Sequence, residues 1–409
     1  MKSIYLLFFL AVFVSCKKEN QKTDISIKED VTVLSADSYE GRETGTKGEQ
    51  EAANYISKRF KEMGLQPKGT DGFYQTFSFK PKTDPHSEVS FTTMKEDGTI
   101  TGTNVLGYID NKAENTIIIG AHYDHLGFGS EGSLYRGEEK AIHNGADDNA
   151  SGVAVMLNLV NKLKDANKGN NYLFMAFSGE EMGLLGSNYF VKNPTFDITK
   201  ANYMINMDMV GRLKADSTLA VYGVGTSPRF KQTLTANNNK FNLIEKESGV
   251  GPSDHTSFYL NDIPVLHFFT GQHEDYHKPT DDFDKLNFEG MESISNYIFD
   301  IISDLDKAGK LAFRKTKNES EEVPRFKVGL GVIPDYLFDG KGMRIDGVSE
   351  DKPAQKAGLQ KGDIVVKLGD STIVDMMSYM RALSVFEEGD QTKVIVNRNG
   401  KEIEADLKF

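Results

Sequence analysis

The sequence predicts an α/β fold, in which helices flank a mostly parallel mixed sheet, followed by a small β-rich domain. The first observation is that short β-branched runs alternate with segments of helical periodicity in residues 31–306. This alternation is typical of helices packed on both faces of a parallel sheet. The second is that residues 307–323 are charged and non-periodic, which predicts a linker. Glycine-punctuated strands then resume at 324–409, and 409 residues exceed the size of one ordinary domain.

The N-terminal segment at residues 1–15 has the features of a secretory signal peptide. Its apolar run is too short to span a membrane as a helix, and it ends on a small residue before Cys16, the only cysteine. This ending resembles a bacterial lipobox, although Phe13 stands where leucine is usual. The resemblance implies lipidation of Cys16 and anchoring to a membrane of the cell envelope, facing the periplasm or the outer surface. An ordinary secreted protein is the alternative, and the polar residues 17–30 are expected to form a tether.

The elements of residues 31–306 follow from their apolar periodicity. A helix is predicted from Glu49 to a cap at Gly64, because apolar residues recur between them at helical spacing. Residues 73–109 alternate in the manner of strands. Five further strands are predicted in NTIIIGAHYDHLG, YLFMAFSGEE, ANYMINMDMVG, STLAVYGVG and DIPVLHFFTG, and three further helices at 150–163, 183–190 and 289–305.

Clusters of acidic residues and histidines stand where these strands end. Four of them are AHYDHLG, HNGADDNASG, FSGEEMGLLGS and NMDMVGR, and a fifth, HEDYHKPTDDFD, follows the last strand. One acidic pair, such as Asp147 and Asp148, is often only a solvated turn. Five such clusters are stronger evidence for a site than one, because the carboxyl ends of parallel strands meet at one edge of the sheet. They contain enough imidazole and carboxylate ligands for two metal ions, without the H-E-x-x-H spacing of zincins.

Composition excludes several classes of function. With a net charge of −12 and interspersed charges, the chain lacks the basic surface that nucleic acid requires. No G-x-S-x-G elbow of a serine hydrolase occurs. A cysteine nucleophile is also excluded, since the single cysteine belongs to the expected lipid anchor.

The five motifs, in this order, resemble those of the M28 family of zinc aminopeptidases over about residues 30–305. The resemblance implies the zinc-exopeptidase, phosphorylase/hydrolase-like version of the α/β fold, with two Zn²⁺ per chain. The ligands that it implies are His122 and Asp208 at one zinc, Glu181 and His277 at the other, and Asp148 as the bridging carboxylate.

The same resemblance implies three further roles. Glu180 would be the general base, which takes a proton from a water bridging the zinc ions and passes it to the leaving amine. Asp124 would orient His122 in a carboxylate–histidine–zinc arrangement. The Tyr276 hydroxyl would be a candidate donor to the oxyanion, and packing of its ring against the loop is the alternative.

The leading prediction is therefore a di-zinc exopeptidase that removes amino-terminal residues from peptides or protein N-termini. Related M28 activities are the first alternatives: a carboxypeptidase, a dipeptidase, or a glutaminyl cyclase, which in this fold uses one zinc. A non-catalytic peptide-binding protein of the envelope is the second alternative. It is disfavoured because all five expected ligands and the base are present.

Several polar residues near these motifs have no expected role as ligands. Asp254 and His255 are interpreted as loop-fixing or substrate-side groups. The insertion at residues 128–142 is either a flexible lid or a plain loop. The remaining histidines of the region are expected to be solvated or to support ligands: His125, His143 and His273.

The C-terminal unit resembles a bacterial PDZ domain. The segment VGLGV would be its carboxylate-binding loop, whose backbone N–H groups could capture the C-terminus of a peptide. Packing against the first domain is the alternative role. The pattern of these domains is matched in DKPAQKAGLQKGDIVVKLG by Pro353, Ala357, Gly358, Leu359, Gly362, Asp363 and Ile364.

Overall fold

The computed structural model describes residues 26–81, 90–93, 97–129, 132–317, 327–338 and 340–409. The predicted signal peptide, Cys16 and most of the expected tether lie outside these residues, as do residues 318–326. Within the part of the chain that is described, no helix has the length and apolar character needed to cross a membrane.

The first domain contains nine strands and seven α-helices within the described ranges. The strands are β1 (Gln66–Pro67), β2 (Tyr74–Phe79), β3 (Ile100–Ile109), β4 (Thr116–His122), β5 (Asn171–Phe177), β6 (Ala201–Met207), β7 (Thr218–Tyr222), β8 (Asn242–Lys246) and β9 (Val265–Phe269). The helices are α1 (Ile27–Leu34), α2 (Lys47–Glu62), α3 (Gly152–Leu163), α4 (Leu185–Lys192), α5 (Phe230–Asn237), α6 (His255–Tyr259) and α7 (Phe288–Leu305).

These strands form one mixed sheet in the order β1-β3-β5-β4-β6-β9-β7-β8, with β2 paired to β3. The four central strands β5, β4, β6 and β9 run parallel, and β3 and β7 border them antiparallel. Strand β4 is buried on both faces, which explains its β-branched run: Ile117 and Ile119 face the core under α3 and α7, and Ile118 faces the core under α4 and α6. The predicted fold class is confirmed.

The boundary predicted for the tether is four residues too late. Helix α1 begins at Ile27, where the Ser26 hydroxyl accepts a hydrogen bond from the Glu29 backbone. Ile27, Val31 and Leu34 recur at helical spacing and are buried in the core. The sequence prediction missed this helix because it is only eight residues long and contains the β-branched residues Val31, Thr32 and Val33.

The described part of the expected linker is packed rather than free. Leu311 is buried in the core, and its N–H donates to the Asn202 side chain over 2.7 Å. Thr316 hydrogen-bonds through its backbone to the Tyr259 hydroxyl over 2.9 Å. These contacts extend the first domain beyond the predicted boundary at residue 306.

The second domain has the small β-rich architecture that was predicted. Its strands are β10 (Val332–Pro334), β11 (Met343–Val348), β12 (Ile364–Leu368), β13 (Ser371–Thr372), β14 (Gln391–Arg398) and β15 (Lys401–Lys408), and its helices are α8 (Pro353–Lys356) and α9 (Met376–Leu383). All described pairings in this sheet are antiparallel. The domain has its own apolar core, and Leu337 lies against Gly271 of the first domain.

Candidate metal centre

Six of the predicted site residues converge at the carboxyl edge of the central strands. His122 ends β4, Glu180 and Glu181 follow β5, and Asp208 follows β6. Asp148 lies in the turn before α3, and His277 lies in the loop after β9. The parallel pairing of β4 with β5 and β6 brings these segments together, as the sequence predicted.

A first group of three side chains surrounds His122. Its Nε2 lies 3.4 Å from Asp148 Oδ1 and 3.3 Å from Asp208 Oδ1. Its Nδ1 lies 3.3 Å from the backbone carbonyl of Asp124. Because a carbonyl only accepts, that contact requires a proton on Nδ1, and Nε2 is the nitrogen that faces the carboxylates.

A second group surrounds His277 on the other side of Asp148. The Nε2 of His277 lies 3.2 Å from Asp148 Oδ2 and 3.2 Å from Glu181 Oε2. Its Nδ1 donates to the Gly132 carbonyl over 2.9 Å, so Nε2 is again the nitrogen that faces the carboxylates. The two oxygens of Asp148 are thus divided between the two histidines.

The spacing of these atoms fits two tetrahedral metal ions. Donor atoms bound to one zinc at roughly 2.0–2.1 Å are about 3.3 Å apart in a tetrahedral arrangement. All four separations between the histidines and their carboxylates are 3.2–3.4 Å. A shared carboxylate with one oxygen on each side is also what a two-metal site requires. The residues present therefore fit a pair of zinc ions.

The electrostatics of the cluster favour positive charge at both positions. Burial opposes protonation of His277, yet the Glu181 carboxylate and hydrogen bonds to Asp148 and Glu181 raise its pKa to about 11. The pKa of His122 is also raised, by Asp208 and Glu180, against the effect of burial. A field that holds protons this strongly equally favours divalent cations.

Glu180 differs from Glu181 in its electrostatic surroundings. Burial and the nearby carboxylates of Asp208 and Glu181 raise the pKa of Glu180 well above its ordinary value, although His122 lowers it. For Glu181, burial and Asp148 oppose ionisation, but His277 and the hydrogen bond from His125 prevail and lower its pKa to about 2. Adjacent glutamates therefore differ in proton affinity, which suits one to hold a proton and the other to bind a cation.

Asp124 is placed differently from the prediction. Its Oδ1 lies 3.7 Å from His122 Nδ1, which is longer than a hydrogen bond, so its backbone carbonyl orients the ring instead. The carboxylate accepts from the backbone N–H of Glu180 over 3.2 Å and from the Thr44 hydroxyl over 3.1 Å. The expected orientation of His122 by the Asp124 carboxylate is corrected: this carboxylate holds the turn that carries the glutamate pair.

Tyr276 lies beside the second group, as predicted. Its ring stacks on His277 with centroids 3.8 Å apart and planes inclined by 22°. Burial and the four carboxylates of the site, Asp148 first among them, raise the pKa of its hydroxyl well above the ordinary value. The hydroxyl therefore stays protonated and able to donate, so both predicted roles are compatible with the structure.

The adjacent aspartates Asp147 and Asp148 point in different directions. Asp147 Oδ1 accepts from the Gly211 N–H over 2.6 Å, and its Oδ2 lies 3.1 Å from His273 Nε2. Asp281, which the sequence interpretation did not single out, accepts from the backbone N–H groups of both aspartates. Asp147 therefore ties two loops together, while Asp148 alone faces the two histidines.

The insertion at residues 128–142 is hydrogen-bonded to the loop that carries His277. Besides the contact of Gly132 with the His277 ring, the Leu134 N–H donates to the His277 carbonyl over 3.0 Å. Ser133 hydrogen-bonds to His143 over 2.8 Å. The described residues of this segment therefore hold the loop that carries His277, which fits neither the flexible lid nor the plain loop that were the two alternatives.

Two buried charged residues from the N-terminal segment support the site, and the sequence interpretation missed both. The Arg42 guanidinium donates to the carbonyls of Leu34, Tyr123, Asn144 and Gly145 over 2.6–2.9 Å. Burial lowers its pKa only to about 10, so it stays charged at neutral pH beneath the carboxylates. These hydrogen bonds hold the segment that follows β4 close to the segment that precedes Asp148. The signal available was the sequence EGRETGTKGE, whose polar residues precede a helix.

Glu49 is the second of these residues. Its carboxylate accepts from the Ser178 hydroxyl over 2.5 Å and from the backbone N–H groups of Gly45 and Thr103 over 2.6 and 2.9 Å. Burial nevertheless raises its pKa to about 7. Since Ser178 precedes Glu180 by two residues, this contact supports the same turn.

Asp254 and His255 lie outside the two groups of candidate ligands. The His255 ring stacks on His267 with centroids 4.4 Å apart, and burial lowers the pKa of both histidines. Burial raises the pKa of Asp254 to about 7. The neutral, stacked rings are consistent with the predicted loop-fixing role.

Comparison with known proteins identifies two domains in this chain. Residues 104–302 match the model of peptidase family M28, and residues 311–409 match that of the PDZ domain. A probable leucine aminopeptidase of Trichophyton verrucosum is 33% identical over 173 residues, which cover 39% of this chain and 44% of that protein. The chain spans about half the length of the curated relatives it matches.

Solved structures show the same fold at low identity. An aminopeptidase from Aneurinibacillus sp. strain AM-1 superposes with a TM-score of 0.52 and 18% identity, covering 71% of this chain and 94% of that one. A glutaminyl cyclase of Bacteroides thetaiotaomicron gives a TM-score of 0.54 and 17% identity, covering 68% and 96%. Residues 104–302 are therefore a peptidase family M28 domain, and a PDZ domain follows it in the chain.

Proposed function

We propose that this protein is a di-zinc exopeptidase that removes amino-terminal residues from peptides. The observation that carries the proposal is the division of the Asp148 carboxylate, with Oδ1 3.4 Å from His122 Nε2 and Oδ2 3.2 Å from His277 Nε2. Two complete ligand groups that share one carboxylate fit a two-metal hydrolase.

In this proposal each group holds one zinc ion. His122 and Asp208 hold the first, Glu181 and His277 hold the second, and Asp148 bridges them. When bound, the metal ions would acidify a water molecule and polarise the carbonyl of the scissile bond.

Glu180 is the general base of the proposal. Its backbone N–H is fixed by Asp124 over 3.2 Å, while its carboxyl lies near His122 and Asp208 without belonging to either ligand group. A carboxylate whose pKa is raised above its ordinary value accepts a proton from water more readily and can return it to the leaving amine. Tyr276, whose hydroxyl keeps its proton, would donate to the oxygen of the substrate carbonyl.

A glutaminyl cyclase is the second candidate, because a cyclase has the same fold with a TM-score of 0.54. The two reactions differ in product: a cyclase releases ammonia from an amino-terminal glutamine and keeps the residue, whereas an aminopeptidase releases the residue. The presence of two complete ligand groups favours the peptidase.

The test is a mixed peptide library in two forms, free and N-acetylated, incubated with zinc-loaded protein and followed by mass spectrometry. We expect stepwise loss of amino-terminal residues from free peptides only, abolished by a chelator and restored by zinc. Peptides with amino-terminal glutamine serve as the internal control, since loss of ammonia without loss of the residue would identify a cyclase. Equal cleavage of acetylated peptides, or no chelator effect, would contradict the proposal.

We also propose that Cys16 anchors the protein to the cell envelope and that the PDZ domain captures peptide C-termini there. The lipobox-like end of the apolar run and the VGLGV segment support these two points. In the native host, Cys16→Ala is expected to move the protein from the membrane to the soluble fraction, as measured by fractionation and immunoblotting. An unchanged membrane fraction for this variant would contradict the anchor.

A further inference from the structure

His125 is a buried histidine that belongs to neither ligand group of the proposed site. Its side chain is completely shielded from solvent, and its Nδ1 lies 2.7 Å from Glu181 Oε1. The same nitrogen lies 3.9 Å from Asp148 Oδ2. Glu181 therefore has two histidine neighbours, because its other oxygen, Oε2, lies 3.2 Å from His277 Nε2.

Two roles are open to such a histidine: a further metal ligand, or a hydrogen-bond donor that orients Glu181. His125, Asp148 and Glu181 each offer an atom within 4.8 Å of the others, which is close enough for a shared ion. The individual distances separate the two roles. Donor atoms on one tetrahedral zinc are about 3.3 Å apart. The 2.7 Å from His125 Nδ1 to Glu181 Oε1 is shorter than this, and the 3.9 Å to Asp148 Oδ2 is longer. By contrast, 2.7 Å matches an N–H···O hydrogen bond to a carboxylate.

We propose that His125 is a positioning residue, which donates from Nδ1 to Glu181 Oε1 and thereby leaves Oε2 as the single oxygen available to the second metal. This inference rests on the proposed function, because it takes Glu181 as a metal ligand. Nδ1 then carries the proton that Oε1 accepts. Nε2 is buried and has no hydrogen-bond partner among the described residues.

The arrangement makes the second ligand group depend on two supports. His277 is oriented by the Gly132 carbonyl over 2.9 Å, and Glu181 is oriented by His125 over 2.7 Å. His122, in the first group, is instead oriented by the Asp124 carbonyl over 3.3 Å. Loss of His125 should therefore weaken one metal position and not the other. Partners of this kind typically contribute a factor of roughly 10–100 in metal affinity.

The experiment titrates the metal-free full chain with Zn²⁺ in competition with a chromophoric chelator, which gives two dissociation constants. For His125→Ala we expect one constant to rise by roughly 10–100-fold and the other to stay unchanged. His125→Asn should recover most of the loss, because its amide nitrogen occupies the position of Nδ1 and can donate. The matched control is His255→Ala, which truncates another buried histidine that stacks on His267, and should alter neither constant.

A second measurement needs no variant and stays valid if His125→Ala fails to fold. X-ray absorption at the zinc edge of the wild-type protein is expected to show two imidazoles per two zinc ions. A third imidazole would overturn the inference, because His125 would then be a ligand. Unchanged constants in folded His125→Ala would overturn it as well, while leaving the proposed function intact. A wild-type protein that binds no zinc would overturn both the role of His125 and the proposed function.

Discussion

Replacing Glu180 with glutamine is expected to lower kcat by at least about 100-fold while both zinc ions stay bound. Glutamine keeps the size and the backbone contact of Glu180, whose N–H donates to Asp124 over 3.2 Å. It removes only the group that accepts a proton. Since Glu180 belongs to neither ligand group, the spacing of the four ligand contacts should not change.

The measurement compares kcat with the zinc content of the same preparation. Glu181→Gln is the matched comparison at the next position, because it should lose zinc from the second site as well as activity. Near-normal turnover in Glu180→Gln would remove this residue from the mechanism. Loss of zinc with loss of activity would instead make Glu180 a ligand, contrary to the proposal.

Replacing Asp148 with asparagine is expected to weaken zinc binding at both positions, because its two oxygens face His122 and His277 separately. An amide keeps one oxygen and presents N–H groups in place of the other, so it cannot bridge two cations. The loss of affinity should exceed the roughly 10–100-fold that removal of a supporting partner causes. Activity should fall together with the metal content.

The neighbouring aspartate supplies the control for this prediction. Asp147→Asn changes the same chemical group one residue away, but Asp147 contacts Gly211 and His273 instead of the candidate ligands. We expect this variant to retain two zinc ions per chain by elemental analysis and to lose thermal stability. Full zinc occupancy in Asp148→Asn would refute the bridging role, and equal zinc loss in both variants would indicate a general collapse of the turn.

Most of the peptidase fold was predictable because its strong signals are local. Strand β4 is a β-branched run buried on both faces, and α2 and α7 show clear helical periodicity. Weaker segments were missed: helix α1 is short and contains three consecutive β-branched residues, and α5, β8 and α6 are also short. For such segments the tertiary contacts outweigh local preference.

The sequence by itself determined the residue types of the site and their common location. Clusters of histidine and carboxylate follow several strands, and the carboxyl ends of parallel strands must meet at one edge. Family resemblance then indicated which member of an adjacent acidic pair binds metal, such as Asp148 rather than Asp147. None of this required coordinates, because strand alternation and motif order are properties of the chain.

Only the tertiary structure decided how these groups face one another. It decided that the Asp124 backbone, rather than its carboxylate, orients His122, and that His125 contacts Glu181 across 56 residues of sequence. It also brought Arg42 against carbonyls about 100 residues away. Hydrogen bonds depend on distances of a few tenths of an ångström and on side-chain direction. A linear pattern contains neither quantity, so it predicts which residues meet and not which atoms bond.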